Sequence, residues 1–221
     1  MSVQLAVLRA RLAQGMPRRG WKVGINVPEV QRQLGLAHAL VGWLDGDRVL
    51  ADGAQIGAPT GSLLHVEPEL CLRLGRGVAA DADPALALAA IDAVAPALEI
   101  VDYAKAKGSL AEIIGHSMFH HACVLGAFVA PPAAGSLAIA SEVRLRLGAL
   151  EAEPARPDLV PASAAALVLQ VAARLEECGE ALLPGDLILS GAFLARALPL
   201  SNGAAVRAEL GGFGAVGCRL C

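Results

Sequence analysis

The spacing of apolar residues along the chain alternates between a period of two and a period near 3.6, and the strand-like period prevails. Residues 2 to 14 place Val3, Val7 and Leu8 on one helical stripe, with Ser2 as cap and Gly15 as stop. Met16 to Gly20 reads as a linker. Trp21 to Ile25 predicts a strand with a lysine inside it. Pro28 opens a short helix that stops at Gly35. Leu40 to Leu44 predicts a strand, and Asp45-Gly46-Asp47 turns it into Arg48-Val49-Leu50. Gly53 to Ser62 is loop with a short strand, and a longer strand runs from about Leu63 to Leu74.

Asp83 caps, and Pro84 starts, an alanine-rich helix to about Val94, ahead of a strand over Ala97–Asp102. Ser109 caps a helix expected to pass His116, and Ala122 to Val129 predicts an apolar strand. Glu142 to Leu150 alternates Val143, Leu145 and Leu147 with Arg144 and Arg146, as a half-exposed strand does. Ala162 to Glu177 is the longest helix, and Asp186–Ser190, Ala204–Leu210 and Ala215–Leu220 return to strands. Helices inserted singly among more numerous strands do not make a doubly wound parallel sheet. The expected fold is α+β and strand-rich, a mixed curved sheet rolled on itself.

Composition narrows the partners. Hydrophobic residues make up 55% of the 221 positions and charged residues 18%, which excludes disorder. Aromatics are only 3%, so the core must be aliphatic. A net charge of −3 without a basic run points away from nucleic acid. The most apolar stretch, Ala85 to Val101, is broken by Asp92, Pro96 and Glu99, short of the roughly 18–20 residues a membrane span needs. Arg9 and Arg11 interrupt the apolar face where a signal peptide would lie. The expectation is a cytoplasmic protein with no membrane partner, its excess apolar surface taken up in a homo-oligomer. Five cysteines, an odd number, predict reduced thiols, and Cys218-x-x-Cys221 reads as a core cysteine beside a tail.

Four groupings could carry chemistry. Glu67 and Glu69, two apart on a strand, share a face, and Glu99 lies in another apolar strand. Three carboxylates on rigid strands would seat a hard divalent cation such as Mg²⁺ or Mn²⁺, although Glu-x-Glu is common on solvated sheet faces. Lys22, mid-strand beside Gly24, could move protons if desolvated, or could snorkel from an edge. Glu112, His116 and His120 fall on one face if a helix continues through them, a spacing that can hold zinc but more often lines a pocket or core. Gly185-Asp186 leads into a strand ending Ser190-Gly191, where backbone N–H groups could meet an anion.

Taken in order, Gly20–Ile25, Gln31-x-Gln33-Leu34-Gly35, Val66–Glu69, Ala97–Asp102, Gly185–Gly191 and Val206–Gly214 resemble the fumarylacetoacetate hydrolase superfamily. The likeness is greatest to its branch of 2-hydroxypentadienoate (2-oxopentenoate) hydratases and 4-oxalocrotonate decarboxylases. The resemblance implies a β-roll catalytic domain over residues 21–221 after a short helix and linker, 1–20. It implies Mg²⁺ or Mn²⁺ on Glu67, Glu69 and Glu99, proton transfer by Lys22, and a substrate carboxylate held by Val23, Gly24, Ser190 and Gly191. The implied reaction is that of a lyase, a hydratase or decarboxylase, on a small 2-oxo acid or its 2-hydroxydienoate enol through a stabilised enolate. A C–C hydrolase of acylpyruvates or β-diketones, or a non-catalytic ligand-binding relative, would use the same scaffold. Two positions depart from the hydratases: the acid they carry near Leu40 is absent, and His116-Ser117 stands where they have Asp-Asn. His38 and His116 are the groups expected to take over acid–base work.

Overall fold

The structure is a computed structural model that describes residues 2–105, 108–132, 135–137, 142–148, 150–151 and 156–221. In chain order the elements begin with α1 (Ser2–Ala13), β1 (Gly20–Gly24), α2 (Pro28–Gln33), β2 (Leu40–Trp43), β3 (Val49–Ala51) and β4 (Ala54–Ile56). They continue with β5 (Leu64–Leu74), α3 (Pro84–Ala89), β6 (Ile91–Asp102), α4 (Leu110–Gly115), β7 (His120–Leu125), β8 (Val143–Leu147) and β9 (Leu150–Glu151). The chain closes with α5 (Ala164–Glu176), β10 (Leu187–Leu189), β11 (Leu198–Pro199), β12 (Ala205–Leu210) and β13 (Gly214–Leu220).

A large mixed sheet runs in the order β2-β1-β10-β5-β6-β7-β3, with β11 added to β5, and a second sheet runs β4-β13-β12-β8-β9. β1 pairs parallel with β10 and β3 parallel with β7, whereas β5, β6 and β7 pair antiparallel. The large sheet curls into a half-barrel, the rolled strand-rich architecture that the patterning predicts. Its long strands have two unlike faces. Leu64, Val66, Leu70, Leu72 and Leu74 of β5 join the main core together with Leu98, Ile100, Leu167 and Val171. The opposite face holds a smaller cluster built from Cys71, Ala95, Ala97, Cys123, Leu187 and Leu189.

Four local expectations are corrected. On α1 the buried side chains are Gln4, Leu5 and Leu8, while Val7 is exposed. The helix is turned so that Gln4 Nε2 donates to Val41 O at 2.6 Å. The helix at Pro84 ends at Ala89, not near Val94, because Ile91 to Val94 pair with β5 and extend β6. α4 stops at Gly115, short of His116, and β7 begins at His120. β11 is an element the patterning does not predict, two residues paired with His65 and Val66. Part of the predicted strand Glu142–Leu150, Ala149, lies outside the described residues. Among the described residues no helix is long and apolar enough to cross a membrane.

Candidate metal centre

The face of the large sheet opposite the main core brings the acidic residues together. Glu67 of β5 is directly opposite Glu99 of β6, and Glu69, opposite Ala97, lies two residue pairs further along on the same face. One oxygen from each of the three carboxylates lies within 4.8 Å of the others. Among the described residues this is the single such cluster of three potential ligands. Like charges facing each other across a ladder are destabilising without compensation. Lys22 supplies part of it.

β1 is held against β10 by Asp186, which accepts from Arg18 Nε at 3.0 Å, Arg18 Nη2 at 2.8 Å and Trp21 Nε1 at 3.2 Å. The Gly185-Asp186 turn is therefore a clamp on β1. That register puts Lys22 beside Leu189, which in turn faces Cys71. The row is low because Cys71 and Ala95 are small, so the lysine stem can cross it. Lys22, 1% exposed, donates through Nζ to Glu99 Oε1 at 2.5 Å and to Met118 O at 3.2 Å. His120 Nδ1 also meets Glu99 Oε1, at 2.7 Å.

Burial and the neighbouring Glu99 charge raise the Glu67 carboxyl to about 7. Burial, then Glu99 and Glu67, push Glu69 well above the usual carboxylate range. For Glu99 burial acts in the same direction, but the Lys22 charge and the His120 and Lys22 hydrogen bonds outweigh it and hold the carboxyl low. Burial lowers His120, against the hydrogen bond and charge of Glu99; its Nδ1 faces the carboxylate and its Nε2 has no hydrogen-bond partner among the described residues.

Two features fit a divalent ion. Glu69 Oε1 is buried without a hydrogen-bond partner, while Glu69 Oε2 accepts from Gly191 N at 3.0 Å. Once all three carboxylates are ionised, as metal ligands must be, one ammonium leaves two negative charges, the charge a divalent cation carries. The donor set, all carboxylate oxygen, suits Mg²⁺ or Mn²⁺ better than a soft metal.

The site opens into a pocket of about 140 Å³ whose walls include Ile25, Val27, Val30, Val101, Met118 and Phe119. Val23, Gly24, Lys22 and Glu67 also line it. Ser190 and Gly191 are engaged with the protein itself. Ser190 N donates to Leu70 O, Ser190 Oγ accepts from Leu70 N, and Gly191 N is given to Glu69. Neither N–H is free for a substrate carboxylate, and their geometry is that of a brace for β5.

The two histidines singled out in the sequence are elsewhere. His38 is exposed and its Nε2 lies 2.6 Å from Arg174 Nη1. His116 caps α4 and faces a separate cavity of about 170 Å³ shared with Arg11, Asp45 and Lys105. The helical face of Glu112, His116 and His120 does not form, because the chain leaves the helix before His120. Ser117, Met118 and Phe119 take φ of 50°, 50° and 67°, a left-handed turn that is costly for such residues. It places Met118 O against Lys22 and swings His120 behind Glu99. Nothing in the identities of these residues signals that turn. Ile25, with φ 55°, is a further strained position on the same pocket.

Comparison with known proteins gives this chain its relatives. The chain is 33% identical over 222 residues to a 4-oxalocrotonate decarboxylase from Pseudomonas sp, covering 97% of this chain and 83% of that protein. The structure of 4-oxalocrotonate decarboxylase from Pseudomonas putida G7, complexed with magnesium and adipate, superposes with TM-score 0.85 at 20% identity, over 99% of this chain and 83% of that one. Fumarylpyruvate hydrolase from Pseudomonas aeruginosa, in complex with Mn²⁺ and pyruvate, gives 0.72 at 19% identity, over 93% and 90%. Residues 20–221 match the fumarylacetoacetate (FAA) hydrolase C-terminal family, and the chain belongs to that family.

Proposed function

We propose that the protein is a divalent-metal-dependent lyase of the decarboxylase type, acting on a small 2-oxo acid. The observation that carries this reading is the convergence of Glu67, Glu69 and Glu99 with the buried Lys22, of which Glu67 and Lys22 reach the lining of a largely apolar pocket. The likeness to a 4-oxalocrotonate decarboxylase supports the reaction class. Glu67, Glu69 and Glu99 would hold Mg²⁺ or Mn²⁺, which supplies Lewis acidity for a developing enolate. Loss of CO₂ breaks a carbon–carbon bond and leaves its electron pair in the conjugated 2-oxo system. Lys22 Nζ, steered by Glu99 Oε1 and Met118 O, returns a proton to the carbon end of that system. The apolar walls keep water from competing for the carbanion.

Decarboxylation requires no attacking water and so no base to activate one. Hydration and C–C hydrolysis require both. Among the described residues lining the pocket there is no histidine, and Glu67 is the one carboxylate. Tyr103 keeps its proton, because burial and then Glu67 raise it. What favours the decarboxylase over the hydratase and hydrolase readings is the 33% identity to a 4-oxalocrotonate decarboxylase. All five cysteines are free, which supports a reducing, cytoplasmic setting, and a homo-oligomer there is testable by sedimentation.

The test is metal analysis with product identification. Metal-free protein given Mg²⁺ or Mn²⁺ should release CO₂ from an unsaturated 2-oxo dicarboxylic acid. Glu99→Ala should lose both bound metal and product. Full metal binding by Glu99→Ala, or no turnover by metal-loaded wild type across a panel of such acids, overturns the proposal.

A further inference from the structure

The segment between β10 and β11 passes over the carboxylate strand and is fastened on both sides of Glu67. Before it, Gly191 N is bonded to Glu69 and Phe193 N donates to Pro68 O at 3.2 Å. After it, Leu198 pairs with Val66. In between, Asn26 Nδ2 donates to Ala192 O at 2.9 Å and to Leu159 O at 2.8 Å, and Ala192, Phe193 and Leu194 are buried. The segment is thus a fixed platform, and its one charged side chain, Arg196, lines the pocket that leads to the metal centre.

The other side-chain nitrogen donors of the pocket are engaged within the protein. Lys22 is bonded to Glu99 and Met118, and both Asn26 donor bonds go to backbone carbonyls. The Tyr103 ring packs against His65 and Phe119, at 4.6 Å and 4.9 Å between centroids. Arg196 is exposed and makes no hydrogen bond or ion pair with any described residue. A guanidinium offers a planar fork of donors that matches a carboxylate. A divalent ion with Lys22 neutralises the three glutamates, so a second substrate carboxylate would find no counter-charge at the floor. Arg196 is the cation placed to supply it.

We propose that Arg196 is the specificity-determining residue of this pocket: its guanidinium grips a second carboxylate at the far end of the substrate, selecting 2-oxo dicarboxylic acids over 2-oxo monoacids. The inference rests on the metal-centre reading above and adds the residue that recognises the substrate's second carboxylate. The grip acts on the ground state, so it sets affinity and not the rate of bond breaking.

The experiment is calorimetric binding of two saturated, unreactive probes, 2-oxoadipate and 2-oxohexanoate, to the Mg²⁺-loaded protein. They have equal chain length and differ in the terminal carboxylate. Wild type should bind 2-oxoadipate on the order of tenfold to a hundredfold more tightly, as a charged bidentate contact predicts. Arg196→Met should erase that preference and leave 2-oxohexanoate affinity unchanged. Arg196→Lys should keep part of it. With substrate, Arg196→Met should raise KM and leave kcat intact. Equal affinity of wild type for both probes, or an undiminished preference in Arg196→Met, overturns this inference and leaves the metal centre standing. Failure of both probes to bind the metal-loaded wild type overturns the metal-centre reading, and this inference with it.

Discussion

The two faces of β5 are built from neighbouring residues yet do opposite things. Val66, Leu70 and Leu72, fully buried, pack into the main core. Glu67, Glu69 and Cys71, interleaved with them, lie on the opposite face of the same sheet, where two of the three are acids that burial opposes. One face lowers the free energy of the fold. The other holds acids whose ionisation raises it until a cation arrives. The comparison teaches that the catalytic face is tolerated because the aliphatic face and the main core offset its cost.

The sharpest way to break that comparison is Glu99→Gln. The shape is kept, one ligand charge is lost, and Lys22 and His120 lose their ionic partner. Metal affinity and turnover should fall by about a thousandfold or more, the scale for a residue that orders both metal and proton donor. The melting temperature without metal should change far less. Parallel metal titration and thermal melts check both halves, and a collapse of the fold alongside activity would erase the distinction between the faces. Leu70→Ala should do the reverse. It should cost about 2–5 kcal/mol of stability in a denaturant titration, while the protein that remains folded binds metal normally.

Protons should compete with the metal. In the metal-free protein the Glu67 carboxyl is raised to about 7, so below that pH it holds a proton that the ion must displace. Apparent metal affinity should therefore weaken about tenfold per pH unit as pH falls below 7 for this one group, and more steeply because Glu69 is raised too. The same raised carboxyl makes the metal-free fold less stable as pH climbs from 4.5, its ordinary value, through about 7, and added Mg²⁺ should reverse that loss. Calorimetry across this range tests it; a flat affinity profile would mean that Glu67 is ionised throughout.

The smallest expected effect lies behind the site, at His121. Burial, then the Lys105 and Arg48 charges, lower it to about 4. Its neutral form is the one the fold accepts, so its contribution is present above the ordinary value of 6.5 and is lost as pH falls towards 4. His121→Asn should flatten the acid limb of the melting curve by a few degrees, about 2–4 °C per kcal/mol in a chain of this size.

Parts of this site are legible in the sequence and parts are not. Glu67 and Glu69 share a face by the two-residue period of a strand, and Lys22 is conspicuous as a charge inside an apolar strand. His120 is not legible as Glu99's partner, because helical spacing groups it with His116. Only the strained turn at Ser117–Phe119 breaks that spacing, and those residue types have no preference for such a backbone. The early stop of α3 is hidden for a related reason: alanine favours helix, yet pairing of Ile91–Val94 with β5 overrides it.

By itself the sequence determined the periodicity, and with it which residues each element presents together and that three carboxylates and a lysine would sit among apolar neighbours. Only the tertiary structure decided that Glu99 stands across from Glu67, that Lys22 reaches an acid 77 positions away, and that Arg196 overlooks them. Side-chain period is a local property of the backbone. Register between distant strands is instead set by the packing of the whole curled sheet, to which every strand contributes at once.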